Sequence, residues 1–435
     1  MNIEELYQVY LQHPIVTTDS RNCPEGSVFF ALRGEKFNGN AYARQALEAG
    51  CAAAVVDEPE VALDERFILV PDVLQALQQL AALHRRKWGG TVLQITGTNG
   101  KTTTKELVSA VLAKKFNVLF TQGNFNNHIG VPLTLLRLTA RHDLAVVETG
   151  ANHPGEIAAL SRIAQADYGI ITNVGRAHLE GFGSFEGVRA TKGELYDDLS
   201  ARGGKVFLNA FDDDLLQMAE GRGLKLYETA IPYVEGRVEQ VNPFLTFRWR
   251  QDVDEDWHQV ATHLVGAYNI DNVRAAVTVG LHFGVPADLI DEAVAGYVPR
   301  NSRSEFRQSA RNKLIVDAYN ANPSSMAAAL TNFSFICNEP KMVILGDMQE
   351  LGEESDAEHQ KVLTQLADSR IGQIWLVGPK FRQAAEVLGF SPSQVRFFPD
   401  VEAVKACLDS EPVEGFTILI KGSNSMRLHE LPDLL

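Results

Sequence analysis

Along almost the whole chain, short aliphatic runs alternate with stretches in which apolar residues recur every three or four positions. Within residues 1–86 the pattern predicts strands over Val28–Leu32, Ala54–Val56 and Phe67–Val70, and a helix around Tyr42–Glu48 closed by Gly50. Pro71-Asp72 opens a longer helix in which Val73, Leu77, Leu80 and His84 share one face. Arg85-Arg86-Lys87-Trp88-Gly89-Gly90 breaks that period and reads as a linker. From Thr91 to about Val298 strand and helix alternate, with strands at Val118–Phe120, Leu144–Val147, Tyr168–Val174 and Val206–Leu208. Pro299–Ser304 reads as a second linker. Strands at Leu314–Val316, Met342–Leu345, Ile374–Val377 and Ile418–Ile420 follow it, each running into a polar or glycine loop and then a helix. This alternation predicts an α/β protein of parallel sheets covered by helices. The breaks divide it into a small α/β unit over 1–88, a central parallel-sheet unit over 89–298 and a Rossmann-like unit over 299–435. Ligands of such sheets bind outside the carboxyl ends of the strands.

A length of 435 residues suits about three domains. The apolar share of 45% and charged share of 22% are those of an ordinary globular chain that can bury a core. A net charge of −15 argues against a nucleic-acid or anionic-membrane surface, so an anionic ligand must be held by local clusters of Arg, Lys and backbone N–H groups. Cys23, Cys51, Cys337 and Cys407 are far apart with no C-x-x-C spacing, which predicts neither a zinc site nor a disulfide framework. The polar, acidic N-terminus does not read as a leader, and no apolar run approaches a membrane span. The expectation is a cytoplasmic protein without stable membrane association.

The densest chemistry lies at Ile95-Thr96-Gly97-Thr98-Asn99-Gly100-Lys101-Thr102-Thr103-Thr104, between a β-branched run and a helical pattern through Leu107, Val111 and Leu112. A strand, a glycine loop and a helix N-terminus make an anion cradle of backbone N–H groups. Lys101 would reach β/γ-phosphates and the Thr102 hydroxyl would sit on Mg²⁺. The general P-loop pattern wants a glycine where Ile95 stands, so the loop is a shortened variant. Asp143–Gly150 is a buried-strand pattern ending in Glu148, a carboxylate that burial makes costly unless it is paired or bound to metal. His178 follows the strand at Tyr168–Val174 and suits either a loop histidine or a second metal ligand. Lys192, on spacing alone, is a helix-surface lysine.

These segments occur in the order found in the Mur ligase superfamily, which the chain resembles over nearly its whole length. The match runs through Gly97–Thr104, Glu148-Thr149-Gly150-Ala151-Asn152-His153, Asn173–Phe185 and Lys192-Gly193-Glu194. The runs Asp317–Ser325, Leu345–Met348 with Glu350-Leu351-Gly352 and His359, and Lys421–Met426 resemble the branch that adds D-alanyl-D-alanine. Asp19-Ser20-Arg21 and Phe29–Glu35 resemble that branch's UDP-binding N-terminal domain.

The resemblance implies an ATP-dependent amide-bond-forming ligase of peptidoglycan precursor synthesis. Its substrates would be UDP-N-acetylmuramoyl-tripeptide and D-Ala-D-Ala, joined through an acyl phosphate, and it is expected to be a monomer. By the same resemblance, Gly97, Thr98, Asn99, Gly100, Lys101, Thr102 and Thr103 hold the nucleotide phosphates. Thr102 and Glu148 hold one Mg²⁺; His178 and Lys192, carbamylated by CO₂, serve a second. Asn269 and Asn272 contact adenine, in a segment where Tyr268 stands in place of the usual histidine. They lie three apart on one helix face, although Asn269 also suits a helix N-cap. Arg303 and Asp317 meet the triphosphate and ribose, with Arg300 competing for the arginine's role. Ser20 and Arg21 meet the uridine diphosphate, or are a turn serine and a surface arginine. Asn126, Asn127 and His128 line the substrate cleft, and Asn320 and Asn322 hold the incoming dipeptide. The alternatives are another Mur ligase, a folylpolyglutamate-type synthetase, which lacks the N-terminal unit, or a P-loop ATPase switch.

Overall fold

The computed structural model describes residues 2–222, 230–253, 255–300, 302–336, 340–390 and 395–435. Cys337 of the cysteine argument lies outside them, and the other three cysteines are free thiols. The fold is built on parallel sheets. Near the N-terminus Val16–Thr17, Val28–Phe30, Ala53–Val56 and Phe67–Leu69 pair in that order, all parallel. The central six-stranded sheet is wholly parallel, in the order Ala230–Pro232, Lys205–Leu208, Tyr168–Ile171, Thr91–Thr96, Leu144–Glu148, Val118–Phe120. The strand that feeds the glycine loop, Thr91–Thr96, therefore lies inside the sheet with later strands on both sides, which is where an open sheet forms its ligand crevice. The C-terminal sheet runs Glu305–Gln308, Lys313–Asp317, Thr417–Lys421, Lys341–Gly346, Gln373–Val377, Val395–Phe398, parallel except for its first edge strand.

Four details depart from the sequence pattern. Arg85–Trp88 is not a linker. Helix Val73–Trp88, N-capped by Asp72, continues through it and stops at left-handed Gly89. The basic last turn suits the negative end of the helix dipole, and Arg85 is buried: its guanidinium donates to the carbonyls of Ala164 and Gln165 and to Asp167. The strand expected over Tyr168–Val174 ends at Ile171, because Thr172 and Asn173 turn to grip the glycine loop. Strand–helix alternation is also interrupted by a three-stranded antiparallel sheet, Glu235–Gln240, Thr246–Arg250 and His258–Ala261. Finally, the edge strand Glu305–Gln308 was not anticipated.

One apolar core spans the first two sheets: Leu6, Tyr10, Leu77, Leu80 and Leu83 pack in the same cluster as Val131, Leu135, Ile157, Leu160 and Ile163. Polar bonds reinforce it, from the Tyr10 hydroxyl to the carbonyl of Leu136 and from Gln78 to that of His128. Because Arg85 serves three acceptors at this junction, Arg85→Ala should lower stability by about 2 kcal/mol, read as a lower urea midpoint with unchanged slope.

Candidate active site

The glycine loop owes its shape to close backbone approach. Gly97 has φ 141°, and a Cβ there would come within 2.0 Å of the Thr172 hydroxyl. Gly100 has φ 77°, and a Cβ there would come within 2.6 Å of Asn272 Oδ1. Thr98 N–H donates to the carbonyl of Asn173, and Asn99 N–H to its side-chain oxygen. Gly100 then starts helix Lys101–Leu112 with no side chain capping it, so the first-turn N–H groups face the crevice unpaired with any cap. Such a terminus binds anions.

Charged groups converge on this loop. Lys101 Nζ folds back onto the carbonyls of Gly97, 2.9 Å away, and Thr98, 2.8 Å away. Burial pulls its pKa down to about 8, against the opposing pull of Glu148. Glu148 is 1% exposed. Its Oε1 accepts from Thr102 Oγ1 at 3.2 Å and Asn126 Nδ2 at 2.8 Å, while its buried Oε2 has no hydrogen-bond partner. Among the described residues no three His, Cys, Asp or Glu side chains are grouped as a metal cage. A half-satisfied carboxylate beside a threonine hydroxyl and a phosphate cradle nevertheless fits Mg²⁺, which takes one or two carboxylates and completes its shell with phosphate oxygens and water.

Lys192 is not a surface lysine. It lies 2% exposed in helix Phe185–Arg202, with Nζ 3.4 Å from the carbonyl of Ala151 and 5.3 Å from the Phe182 ring centre. Its neighbour Glu194 accepts from the N–H groups of Gly155 and Ala158, pinning this helix to the start of helix Glu156–Ala164. Burial, then the nearby Lys101 charge, pulls the Lys192 pKa down to about 7. His178 adopts the left-handed φ of 52°, and its Nδ1 lies 2.5 Å from the carboxylate of Glu350 in the C-terminal unit.

The carboxyl ends of the central and C-terminal sheets face each other across one cavity of about 570 Å³. Thr98, Asn99, Gly100, Lys101 and Thr103 form one wall. Asn126, Asn127, His128, Glu148 and His178 extend it. Asn269 and Asn272 join the same lining, and their side chains bond to each other at 2.8 Å. From the other sheet come Arg303, Asp317, Asn320 and Asn322. Gly97, Thr102 and Lys192 sit behind this lining rather than in it. Arg300 is exposed and does not line the cavity, whereas Arg303 does, its guanidinium 3.6 Å from the Tyr319 ring centre. Asn322 is engaged as the N-cap of helix Pro323–Phe335 and donates to the Asn99 side chain across the cavity. Ser20 and Arg21 lie outside this cavity, and Arg21 is 86% exposed and paired with Asp19.

Sequence reasoning missed Lys421 as a site residue. It is 1% exposed at the end of its strand, lines the cavity, and holds Asp317 at 2.6 Å. It also missed Gln78, which reaches the cavity from helix Val73–Trp88, and Tyr319. A lysine closing an apolar strand was the available signal for the first. The other two carry none in the sequence.

The sequence and the overall fold of this chain are shared with known enzymes. UDP-N-acetylmuramoyl-tripeptide–D-alanyl-D-alanine ligase of Bacillus subtilis (strain 168) is 33% identical over 435 residues, covering 96% of this chain and 92% of that protein. The Escherichia coli (strain K12) ligase of the same name is 34% identical over 423 residues, with the same coverages. This chain belongs to the Mur ligase family. The Mur ligase family catalytic domain matches residues 14–85, the Mur ligase middle domain 95–280, and the Mur ligase glutamate ligase domain 302–424. A crystal structure of MurF from Acinetobacter baumannii superposes with a TM-score of 0.86 at 30% identity, covering 100% of this chain and 98% of that one. The fold is thus the three-domain α/β architecture of Mur ligases.

If the loop's shape depends on Gly97 as this geometry requires, Gly97→Ala should cost about 1–3 kcal/mol of strain and abolish binding of a non-hydrolysable ATP analogue in calorimetry, with the far-ultraviolet circular dichroism unchanged.

Proposed function

We infer that the chain is the ATP-dependent ligase that joins D-Ala-D-Ala to the terminal carboxylate of UDP-N-acetylmuramoyl-tripeptide, yielding the pentapeptide nucleotide, ADP and phosphate for peptidoglycan synthesis. The observation that carries this reading is the meeting of two sheet ends on one cavity, one bearing a phosphate loop and the other the Asp317–Lys421 pair, in a chain matched almost end to end by ligases of that specificity. Residues 1–88 hold the UDP end of the substrate, with Ser20 and Arg21 at the uridine diphosphate. Residues 89–298 bind ATP, and 299–435 bring the acceptor. The protein works as a cytoplasmic monomer without stable membrane association.

The substrate carboxylate attacks the γ-phosphate to form an acyl phosphate, and the dipeptide amine then displaces phosphate through a tetrahedral intermediate. Both partners of the first step are anions, so the barrier is largely electrostatic and positional. The loop N–H groups from Gly97 to Thr103 hold the phosphates, and Lys101 exchanges the carbonyls of Gly97 and Thr98 for phosphate oxygens. Thr102 and Glu148 would hold one Mg²⁺, and His178 with Lys192, once carbamylated, would hold a second. When bound, these ions neutralise the oxygens that must meet. Asn269 and Asn272 hold adenine, Arg303 the triphosphate and Asp317 the ribose. Asn126, Asn127 and His128 guide the tripeptide arm, and Asn320 and Asn322 the dipeptide. Bringing contacts from a separate unit onto the phosphates excludes water from a hydrolysable acyl phosphate.

A lysine whose pKa is lowered to about 7 suits carbamylation, because only the neutral amine attacks CO₂, releasing a proton as the N–C bond forms. The ammonium form dominates below that pH and the reactive amine above it. Activity at limiting bicarbonate should therefore rise as pH increases through about 7. Lys192→Ala should lose most activity, recover part of it with added formate or acetate, and lose that pH step. Full activity in Lys192→Ala removes the residue from the site.

The deciding assay is phosphate release from ATP with UDP-N-acetylmuramoyl-tripeptide, with and without D-Ala-D-Ala. Phosphate stoichiometric with the pentapeptide nucleotide and dependent on both substrates is the expected result. Turnover only with another acceptor would replace the assigned substrate. Acceptor-independent hydrolysis alone would make the chain an ATPase switch.

A further inference from the structure

Arg303 is carried by a linker whose backbone is strained on both sides of it. Ser302 has φ 55° and Ser304 φ 50°, left-handed values that L-residues with a Cβ adopt at a cost. Such a conformation persists only where its surroundings over-determine it, and here four contacts do so. Ser302 N–H donates to the Glu305 carboxylate at 3.3 Å, and the carbonyl of Ser302 accepts from Tyr319 N–H at 3.2 Å. Ser304 N–H donates to Asp317 Oδ1 at 3.1 Å, and the Ser304 hydroxyl shares a 2.8 Å hydrogen bond with the Tyr268 hydroxyl. The first three come from the C-terminal unit itself. Of these four contacts among the described residues, the one from Tyr268 comes from the central unit.

Tyr268 is held for that task. Its ring folds over Gly266, where φ is 101° and a Cβ would come within 2.4 Å of the ring. The next residue, Ala267, donates its N–H to the Asn332 side chain of helix Pro323–Phe335, fixing the segment against the C-terminal unit a second time. Asn269, which follows Tyr268, belongs to the cavity lining, and both Tyr268 and Ser304 line the cavity as well.

We propose that Tyr268 is a positioning residue for Arg303, its hydroxyl pinning the strained Ser302–Ser304 linker so that the guanidinium, stacked on Tyr319, faces the terminal phosphates of the nucleotide. The proposal rests on the reading of the cavity as an ATP site. It makes the residue beside the adenine contacts the one that registers the linker, so occupancy of the base pocket and the aim of Arg303 are linked through one side chain.

The test is a double-mutant cycle read by binding. Affinities for ADP and for a non-hydrolysable ATP analogue are measured by calorimetry for the wild type, Tyr268→Phe, Ser304→Ala, Arg303→Ala and Tyr268→Phe/Arg303→Ala. Tyr268→Phe and Ser304→Ala are each expected to weaken the ATP analogue by roughly three- to tenfold, the range of one hydrogen bond, with ADP nearly unchanged and the melting temperature preserved. Arg303→Ala should weaken the ATP analogue selectively, and adding Tyr268→Phe to it should cost nothing more. Equal loss of ADP and ATP analogue in Tyr268→Phe, or losses that multiply in the double variant, would mean that the hydroxyl acts independently of Arg303 and does not position it. If Arg303→Ala leaves the ATP analogue untouched, the role assigned to Arg303 falls, and the proposal falls with it.

Discussion

Burying charge without a protein partner is the constraint around which this molecule is arranged. Lys101, Lys192 and Glu148 lie within one neighbourhood; Lys192 and Glu148 are buried, and Lys101 is half-buried in the cavity wall. The fold does not neutralise them with one another. Lys101 rests on backbone carbonyls, Glu148 keeps an unpartnered oxygen, and Lys192 lies 3.4 Å from a carbonyl and beside an aromatic ring, with the Glu156 and Glu194 charges acting on it from nearby without an ion pair among the described residues. An isolated ion in such surroundings loses several kcal/mol of solvation, and the depressed pKa of both lysines is the visible response. On the reading proposed above, the missing counter-charges come from ligands: phosphates for Lys101, a divalent cation for Glu148, and CO₂, which would turn Lys192 into an anion.

The second sheet supplies what the first cannot. Central-unit residues 172–182 run along the boundary and touch the C-terminal unit repeatedly. Arg176 N–H donates to Ser324 Oγ, its guanidinium reaches Glu354 and Glu358, Glu180 N–H donates to the carbonyl of Glu350, and His178 abuts the Glu350 carboxylate. Asn99 of the phosphate loop meets Asn322 directly. These polar contacts flank an apolar cluster in which Leu179, Phe182 and Val188 pack with Ile315, Met326 and Met348 of the C-terminal unit, and together they tie the cavity's lining to the engagement of the two units.

Much of this was legible in the residues because the chemistry is local. A glycine loop between an aliphatic strand and a helix is written in ten consecutive positions, and Glu148 announces itself as a carboxylate ending an apolar run. Other parts could not be read because their partners are remote. Lys421 and Asp317 stand 104 positions apart, and Tyr268 and Ser304 36 apart. Arg85–Trp88 reads as a polar break because the sequence does not reveal that the acceptors of Arg85, at Ala164, Gln165 and Asp167, await it. The antiparallel sheet escaped notice since much of Glu235–Gln240 is solvent-exposed, leaving no apolar period to detect. Lys192 shows the opposite error: an ordinary helical lysine in sequence is nearly inaccessible in the fold, because Glu194 docks its helix on a neighbour.

The continuous core shared by the first two sheets has a mechanical result. Helix Val73–Trp88 is packed into the central unit along its length, from Gln78 at the carbonyl of His128 to Arg85 at that of Ala164. The shared core joins those two parts into one packed body, which sets the span from the N-terminal sheet to the phosphate loop in this structure. Such a span acts as a gauge. With the UDP end of the substrate seated on residues 1–88 as proposed, a peptide arm one residue too short or too long would fail to bring its carboxylate to the loop.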